Sequence, residues 1–184
     1  MVEAFDVRKA VKEQVESLGA KFVVVESAED AQTAGGYAKE VSEEYKKLQA
    51  EAIARHVKTA DVVIATALIP GQRAPVLVTE AMVKTMKPGS VIVDLAAEQK
   101  GNCELTEPGQ VVVRHGVTVM GVLDLPGRLA VHASQMFSRN VEKLLLHVSK
   151  DGALVLDAKD EIVAGSVVTR GGDVVNARVK ERLG

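Results

Sequence analysis

Short runs of β-branched residues alternate with segments of helical periodicity up to about residue 150, and this alternation constrains the fold most strongly. The runs predicted as strands lie at residues 2–7, 20–25, 61–66, 90–96, 111–113 and 117–122. Helix-length segments join most successive strands, which indicates parallel pairing, because a parallel crossover needs a connection of that length. We therefore expect an α/β fold built on a doubly wound parallel sheet.

The helices are bounded by recognisable cap residues. Gly19 follows an apolar repeat and is typical of a helix end, and Thr79 is predicted to cap a helix with Val78 and Val83 as a hydrophobic staple. A long helix is expected at about residues 129–148.

The segment after residue 150 does not continue the alternation. Residues 153–157, 161–170 and 173–175 are strand-like, and Gly171-Gly172 is typical of a hairpin turn. We expect a main domain at residues 1–150 and a C-terminal β-hairpin appendage at residues 151–184.

Charge and composition exclude several classes of function. The chain of 184 residues carries 23 Lys and Arg against 25 Asp and Glu, with 3% aromatic residues, which argues against a nucleic-acid partner. No apolar run reaches the roughly 18 residues of a membrane span, and no signal peptide is evident, so direct membrane insertion is not expected. Cys103 is the only cysteine and has no His or Cys at ligand spacing, so neither an intrachain disulfide nor a metal site is expected.

Asp6 lies at the carboxyl end of the first predicted strand, the edge at which doubly wound sheets bind ligands. A carboxylate there accepts hydrogen bonds from an adenosine ribose and repels a 2′-phosphate, which favours NAD over NADP. Arg8 weakens that preference, because a guanidinium tolerates phosphate. The alternative is that Asp6 caps a helix that begins near Arg8.

The glycine fingerprint that normally precedes such an acid is absent. A Gly-x-Gly-x-x-Gly motif belongs about 20 residues upstream of the acid, whereas only five residues precede Asp6. We therefore expect a sheet that lacks its usual first strand. The unpaired edges would be closed by another chain, by exchange between two copies, or by a rearranged fold.

Two glycine-containing segments are candidate ligand contacts. TAGGYAK places Gly35, Gly36 and Tyr37 in a polar loop, which is either a mobile lid or a simple connector. ATALIPG ends the strand at residues 61–66 with small residues, including Thr66 and Ala67, that let the backbone approach a flat ring.

Acid–base chemistry has weak support. Asp94, Glu98 and Asn102 follow the strand at residues 90–96, and two carboxylates there would suit acid–base work if burial separated their pKa values. We favour solvated loop acids with Asn102 in a turn. The four histidines are isolated, and no catalytic residue is predicted.

Several long strings carry a family resemblance, and they follow one another in the family's order. The most specific are TAGGYAKEVSEEY and TALIPGQRAPVLVTEAMV, followed by MKPGSVIVDLA, GNCELTEPGQVVV and LPGRLAVHASQMFSRN. The chain resembles the NAD(H)-binding domain of the proton-translocating NAD(P) transhydrogenase alpha subunit, with alanine dehydrogenase as a more distant relative. The resemblance implies an incomplete Rossmann-like domain over residues 1–150, whose appendage at 151–184 packs on an absent N-terminal half.

The resemblance also implies an activity and its partners. The activity is hydride transfer between NAD(H), bound by this domain, and NADP(H), bound by a partner domain, coupled to proton translocation. The implied partners are the NADP(H)-binding and membrane-spanning domains or subunits and a second copy in a homodimer. The implied location is the cytoplasmic side, peripheral to the inner membrane. We expect the isolated chain to bind NAD(H) weakly.

The cofactor-binding residues that the resemblance implies fall into four groups. The adenosine ribose and phosphate are assigned to Asp6, Val7 and Arg8, the closing loop to Gly36 and Tyr37, a further contact to Gln49, and the nicotinamide side to Thr66, Ala67 and Leu68.

Two departures keep alternatives open. Asp124 stands where the family usually has Asn, and Glu98-Gln99 is similar to the alanine dehydrogenase loop. An alanine-dehydrogenase-like NAD-dependent oxidoreductase and a non-catalytic assembly module are the alternatives.

Overall fold

The computed structural model describes residues 1–25, 42–69 and 72–183 and divides the chain into two compact units, Met1–Leu123 and Asp124–Gly184. The first unit contains β1 (Glu3–Ala4), α1 (Val11–Ser17), β2 (Lys21–Phe22), α2 (Glu43–Val57), β3 (Val62–Ala65), α3 (Glu80–Val83), β4 (Val91–Asp94), a 3₁₀ turn (Ala97–Gln99), β5 (Val111–Arg114) and β6 (Val117–Gly121). The predicted domain boundary at residue 150 stays a prediction.

A four-stranded sheet forms the centre of the first unit. Its strand order is β3-β4-β6-β5, in which β3, β4 and β6 are parallel and β5 pairs antiparallel with β6. The register aligns Val63, Ile92 and Val119 across the three parallel strands. The expectation of an α/β fold with a mainly parallel sheet is confirmed.

One face of this sheet carries the hydrophobic core. Ile92, Val117 and Val119 are fully buried and share a cluster with Val57 of α2 and Val83 of α3. Thr79 caps α3 as predicted, since its hydroxyl accepts a 3.3 Å hydrogen bond from the Met82 N–H. Helices α2 and α3 therefore pack on the same face.

The other face of the sheet is largely open to solvent. Val62 and Ile64 of β3 are 57% and 65% exposed, and Val111 and Val113 of β5 are 61% and 63% exposed. The register places these four side chains on one face, because residues two apart along a strand point the same way.

The strands β1 and β2 form a separate parallel pair, in which Glu3 aligns with Lys21 and Ala4 with Phe22. Both are much shorter than the predicted runs at residues 2–7 and 20–25. Within the described residues this pair is not hydrogen-bonded to the four-stranded sheet. This division agrees with the expectation of a sheet that lacks its usual first strand.

The second unit contains α4 (Leu125–Arg128), α5 (Ala130–Val148), β7 (Ser149–Lys150), β8 (Ala153–Leu154), α6 (Glu161–Ser166), β9 (Thr169–Arg170), β10 (Asp173–Val174) and α7 (Ala177–Leu183). No helix among its described residues, or among those of the first unit, has the length and apolar character to cross a membrane. The predicted hairpin at Gly171-Gly172 is confirmed, with both glycines at positive φ between β9 and β10.

The predicted strand at residues 161–170 is wrong over its first six residues. Residues Glu161–Ser166 form α6, because the Asp160 carboxylate accepts hydrogen bonds from the N–H groups of Ile162 and Val163 at 3.0 and 2.9 Å. A side-chain cap of this kind outweighs the β-branched composition of a short segment. Helix α7 was not predicted.

Candidate nucleotide-binding site

Asp6 and Arg8 form a bidentate ion pair just beyond β1. The Arg8 Nε and Nη2 atoms donate to Asp6 Oδ1 and Oδ2 at 2.9 and 2.7 Å, and the Arg8 backbone N–H donates to Oδ1 at 2.9 Å. The alternative that Asp6 caps the following helix is wrong, because α1 begins at Val11 after Ala10, which makes no side-chain cap.

The same contacts keep Asp6 ionised. Burial raises the pKa of the Asp6 carboxyl, but hydrogen bonds from the Arg8 side chain and backbone outweigh burial and leave that pKa below its ordinary value of 3.8. The pKa of Arg8 is raised by the same side-chain hydrogen bond. A carboxylate with fixed orientation is therefore available at neutral pH.

Asp6 lines a cavity of ≈ 320 Å³ at the end of the β1–β2 pair. Its walls combine aliphatic and aromatic side chains with one acid and two lysines, namely Asp6, Val7, Lys9, Lys12, Phe22, Val24, Val25 and Tyr45. Apolar walls with a few charged groups are typical of small-ligand sites. The arrangement suits a ring and a sugar with an adjoining phosphate.

Helix α2 fixes one wall of this cavity. Ser42 caps the helix by accepting a 3.1 Å hydrogen bond from the N–H of Tyr45, which is 5% exposed. Near the other end of α2, His56 Nδ1 lies 2.6 Å from Glu3 Oε2 on β1. The Ser42 cap thus fixes where α2 begins beside the cavity, and the contact between His56 and Glu3 joins the other end of the helix to β1.

Gln49 lies one helical turn after Tyr45 on α2 and is buried, but it does not line the cavity. Gly36 and Tyr37 lie outside the described residues.

The turn after β3 holds the other predicted contacts, and a side chain from elsewhere fixes it. Asn102 Oδ1 accepts from the Ala67 N–H at 2.9 Å, and Asn102 Nδ2 donates to the Ala67 and Pro75 carbonyls at 2.9 and 2.8 Å. Thr66 is exposed and Leu68 is 51% exposed on either side of Ala67. Sequence reasoning missed this role of Asn102.

Asp94 is a fully buried structural acid. Its Oδ1 accepts from the Ala96 N–H at 3.0 Å, and its Oδ2 accepts from the N–H groups of Asn102 and Cys103 and from the Thr106 hydroxyl at 2.7, 2.9 and 2.6 Å. The interpretation of Asp94 as a solvated loop acid is wrong, because its side chain is fully buried and accepts four hydrogen bonds. Burial raises the pKa of the nearby Cys103 thiol.

Gln99 supplies a second contact to the same turn. With its Nε2 facing the two carbonyls, it donates to Gln72 O at 2.7 Å and to Ile69 O at 3.0 Å. Glu98 beside it is exposed. No group of three or more potential metal ligands occurs among the residues that the structure describes.

The predicted residues thus occupy two places. Asp6 and Val7 line the cavity, whereas Thr66, Ala67 and Leu68 lie on the turn after β3 and do not line it. Because β3 and β4 are parallel neighbours, that turn and Asp94 lie at the same edge of the sheet. That one dinucleotide contacts both the cavity and the turn after β3 stays a prediction.

Comparison with known proteins places these features in a family. Residues 1–177 match the family model described as "Alanine dehydrogenase/PNT, C-terminal domain". A polypeptide of the NAD(P) transhydrogenase subunit alpha of Rhodospirillum rubrum is 54% identical over 180 residues, which are 96% of this chain and 47% of that protein.

Two solved structures agree with the fold. A transhydrogenase from Sinorhizobium meliloti matches with a TM-score of 0.73 and 45% identity, over 95% of this chain and 45% of that one. An L-alanine dehydrogenase matches with a TM-score of 0.67 and 24% identity, over 100% of this chain and 46% of that one. The chain spans about half the length of the relatives that it matches. The chain belongs to the alanine dehydrogenase/PNT C-terminal domain family.

Proposed function

We propose that this chain is the NAD(H)-binding portion of an NAD(P) transhydrogenase alpha subunit. The observation that carries the proposal is the ionised Asp6 carboxylate on the wall of the cavity between β1, β2 and α2. The identity of 54% to a polypeptide of a transhydrogenase subunit alpha supports it.

The adenosine half of the dinucleotide would bind in the cavity. Asp6 Oδ2, which accepts one hydrogen bond from Arg8, has room to accept a ribose hydroxyl. The aromatic rings of Phe22 and Tyr45 supply apolar surface. Arg8, Lys9 and Lys12 balance the charge of the pyrophosphate, because they are cations next to the same wall. A 2′-phosphate would meet the Asp6 carboxylate, which favours NAD(H) over NADP(H).

The nicotinamide half would lie against Thr66, Ala67 and Leu68, with Gln49 as a further contact and Gly36 and Tyr37 closing over the nucleotide. Hydride transfer between two nicotinamide rings needs apposed rings and excluded water, with no general base from the protein.

The remaining steps of the reaction belong to partners. NADP(H) is carried by a separate domain, proton translocation by a membrane-spanning domain or subunit, and a second copy forms a homodimer. The chain is then cytoplasmic and peripheral to the inner membrane through these partners. We propose that residues 151–184 pack on the other half of the alpha subunit.

Titration of the ¹⁵N-labelled chain with NADH and with NADPH, followed by two-dimensional NMR, tests the binding step. We expect NADH to shift the amides of residues 6–8 and 22–25 and to bind more tightly than NADPH. The variant Asp6→Asn should weaken NADH binding and narrow the difference between the two nucleotides. Asp61→Asn is the matched control, because Asp61 is exposed and pairs only with Lys87 among the described ion pairs. Equal binding of NADH by wild type and Asp6→Asn contradicts the proposal.

The exposed position of Glu98 next to Gln99 favours one alternative, an alanine-dehydrogenase-like oxidoreductase. Alanine-dependent reduction of NAD⁺ by the complete subunit, lost in Glu98→Gln, would support that alternative. An assembly module without chemistry would bind neither NADH nor NADPH.

A further inference from the structure

A single buried amide side chain holds the turn that follows β3. Asn102 is fully buried, and both polar atoms of its side-chain amide contact Ala67. Oδ1 accepts from the Ala67 N–H, and Nδ2 donates to the Ala67 carbonyl. The same Nδ2 also donates to the Pro75 carbonyl. A side chain that offers a donor and an acceptor on one planar group is needed for this arrangement.

Asn102 is itself fixed through its backbone. Its N–H donates to the fully buried Asp94 carboxylate, and its carbonyl accepts from the N–H groups of Leu77 and Val78 at 2.8 and 3.0 Å. The position of Ala67 is therefore tied, through Asn102, to Asp94 at the end of β4. Gln99 adds the contacts to Ile69 and Gln72 described above.

This arrangement determines what the turn presents to a ligand. The Ala67 N–H is already used by Asn102, so it does not donate to a bound nucleotide. Thr66 and Leu68 are the exposed residues on either side, and their positions follow from that of Ala67. Hydride transfer tolerates little error in ring placement, because the reacting atoms must lie about 3–3.5 Å apart.

We propose that Asn102 is a positioning residue for the nicotinamide end of the bound dinucleotide, acting through the backbone of Ala67 and the exposed side chains of Thr66 and Leu68. This inference rests on the proposed function. The adenosine end depends on the cavity around Asp6, which Asn102 does not line. Loss of the Asn102 amide should therefore affect the two ends of the nucleotide unequally.

The test compares NADH with ADP-ribose, which lacks the nicotinamide, on the full chain by two-dimensional NMR. Asn102→Leu keeps the approximate size and removes the amide. We expect the Kd for NADH to rise about tenfold, the effect of losing a few positioning hydrogen bonds, while the Kd for ADP-ribose changes little. The amide of Ala67 should also exchange faster with solvent, while that of Val119 stays protected.

Asn176→Leu is the matched control. Asn176 is also a buried asparagine, whose Nδ2 donates to two backbone carbonyls, of Ala164 and Gly165, and whose Oδ1 accepts one backbone N–H, from Val179. Asn176→Leu should lower stability without changing the ratio of the dissociation constants for NADH and ADP-ribose. Should Asn102→Leu fail to fold, Gln99→Leu removes the second contact to the turn and should change the ratio in the same direction.

The outcomes separate the two proposals. The role of Asn102 is overturned if the ratio of the Kd for NADH to the Kd for ADP-ribose is unchanged in Asn102→Leu and Gln99→Leu. It is also overturned if Asn176→Leu changes that ratio by as much. Either result leaves the proposal of nucleotide binding intact. Failure of the wild type to bind either NADH or ADP-ribose overturns the proposed function and this inference with it.

Discussion

The Asp94 carboxylate accepts a 2.7 Å hydrogen bond from the backbone N–H of Asn102, which joins the end of β4 to the residue that holds Ala67. Three further donors contact the same carboxylate, from Ala96, Cys103 and Thr106. An acid with these partners organises the loop at residues 95–106.

Replacing Asp94 by Asn should destabilise the chain. The amide NH₂ that replaces one carboxylate oxygen cannot accept the hydrogen bonds that this oxygen accepted. Because the position is fully buried, water does not replace the lost hydrogen bonds. We expect a loss of about 2–4 kcal/mol in the free energy of unfolding, which urea unfolding followed by circular dichroism measures. The exposed control Asp61→Asn should change stability by less than about 0.5 kcal/mol. Equal effects of the two substitutions would contradict the buried role of Asp94.

Gly101 is required next to Asp94 for two reasons that a pair of variants can separate. Its φ is +79°, and a Cβ would lie 2.5 Å from Asp94 Oδ2 and 2.8 Å from Thr106 Cβ. Gly89 has a similar φ of +87° but nothing within 4 Å. Gly89→Ala should cost about 1–2 kcal/mol for the left-handed backbone alone. Gly101→Ala should cost clearly more in thermal unfolding, and equal costs would mean that the loop yields to the added methyl group.

The ion pair between Asp6 and Arg8 should make stability depend on acid pH. Since the folded-state pKa of Asp6 lies below its ordinary value, the ion pair's contribution is complete above about pH 4 and is lost as the pH falls through the lowered pKa. Wild type should exceed Asp6→Asn in unfolding free energy by up to about 1 kcal/mol at pH 7, and the difference should shrink steadily as the pH falls below about 4. Arg8→Gln should reproduce the effect, and a difference that persists at low pH would exclude the ion pair as its source.

The cap of α6 makes a prediction for the second unit. Asp160 caps α6 and also lies 3.0 Å from His147 Nε2, and the hydrogen bond from the Val163 N–H, followed by that with His147, lowers the pKa of its carboxyl. Asp160→Ala should speed hydrogen exchange of the Ile162 and Val163 amides about fivefold. Asp160→Asn, which still caps, should leave exchange nearly unchanged. Equal acceleration in both variants would assign the effect to the contact with His147.

Local patterns predicted the features of the fold that local interactions decide. The cap at Thr79 and the hairpin at Gly171-Gly172 depend on residues close in sequence, and both are confirmed. The parallel order of β3, β4 and β6 follows from connection length. The strand predicted at residues 161–166 is wrong, because its β-branched residues concealed the helix cap at Asp160. Asp is a favoured residue at the start of a helix, and this was the one local indication of α6.

The candidate site was harder to predict, because its decisive contacts are distant in sequence. Asn102 lies 35 residues from Ala67, and no periodicity or motif links the two. Asp94 and the exposed Glu98 are acids only four residues apart in the sequence. Composition therefore did not indicate that Asp94 is the buried one of the two. The only available indication was position: Asp94 ends a strand adjacent to the one before Ala67, and the ends of parallel neighbours meet.

The exposed valine and isoleucine side chains on the open face of the four-stranded sheet have a consequence for handling the protein. Sheets built mainly of parallel strands normally have both faces covered. Here Val62 and Ile64 on one edge strand and Val111 and Val113 on the other are exposed on the same face, and keeping these apolar side chains hydrated costs free energy. Sulfate raises that cost because it is excluded from apolar surface. We therefore expect the chain to salt out at low ammonium sulfate concentrations, and Ile64→Thr to raise the concentration at which turbidity begins.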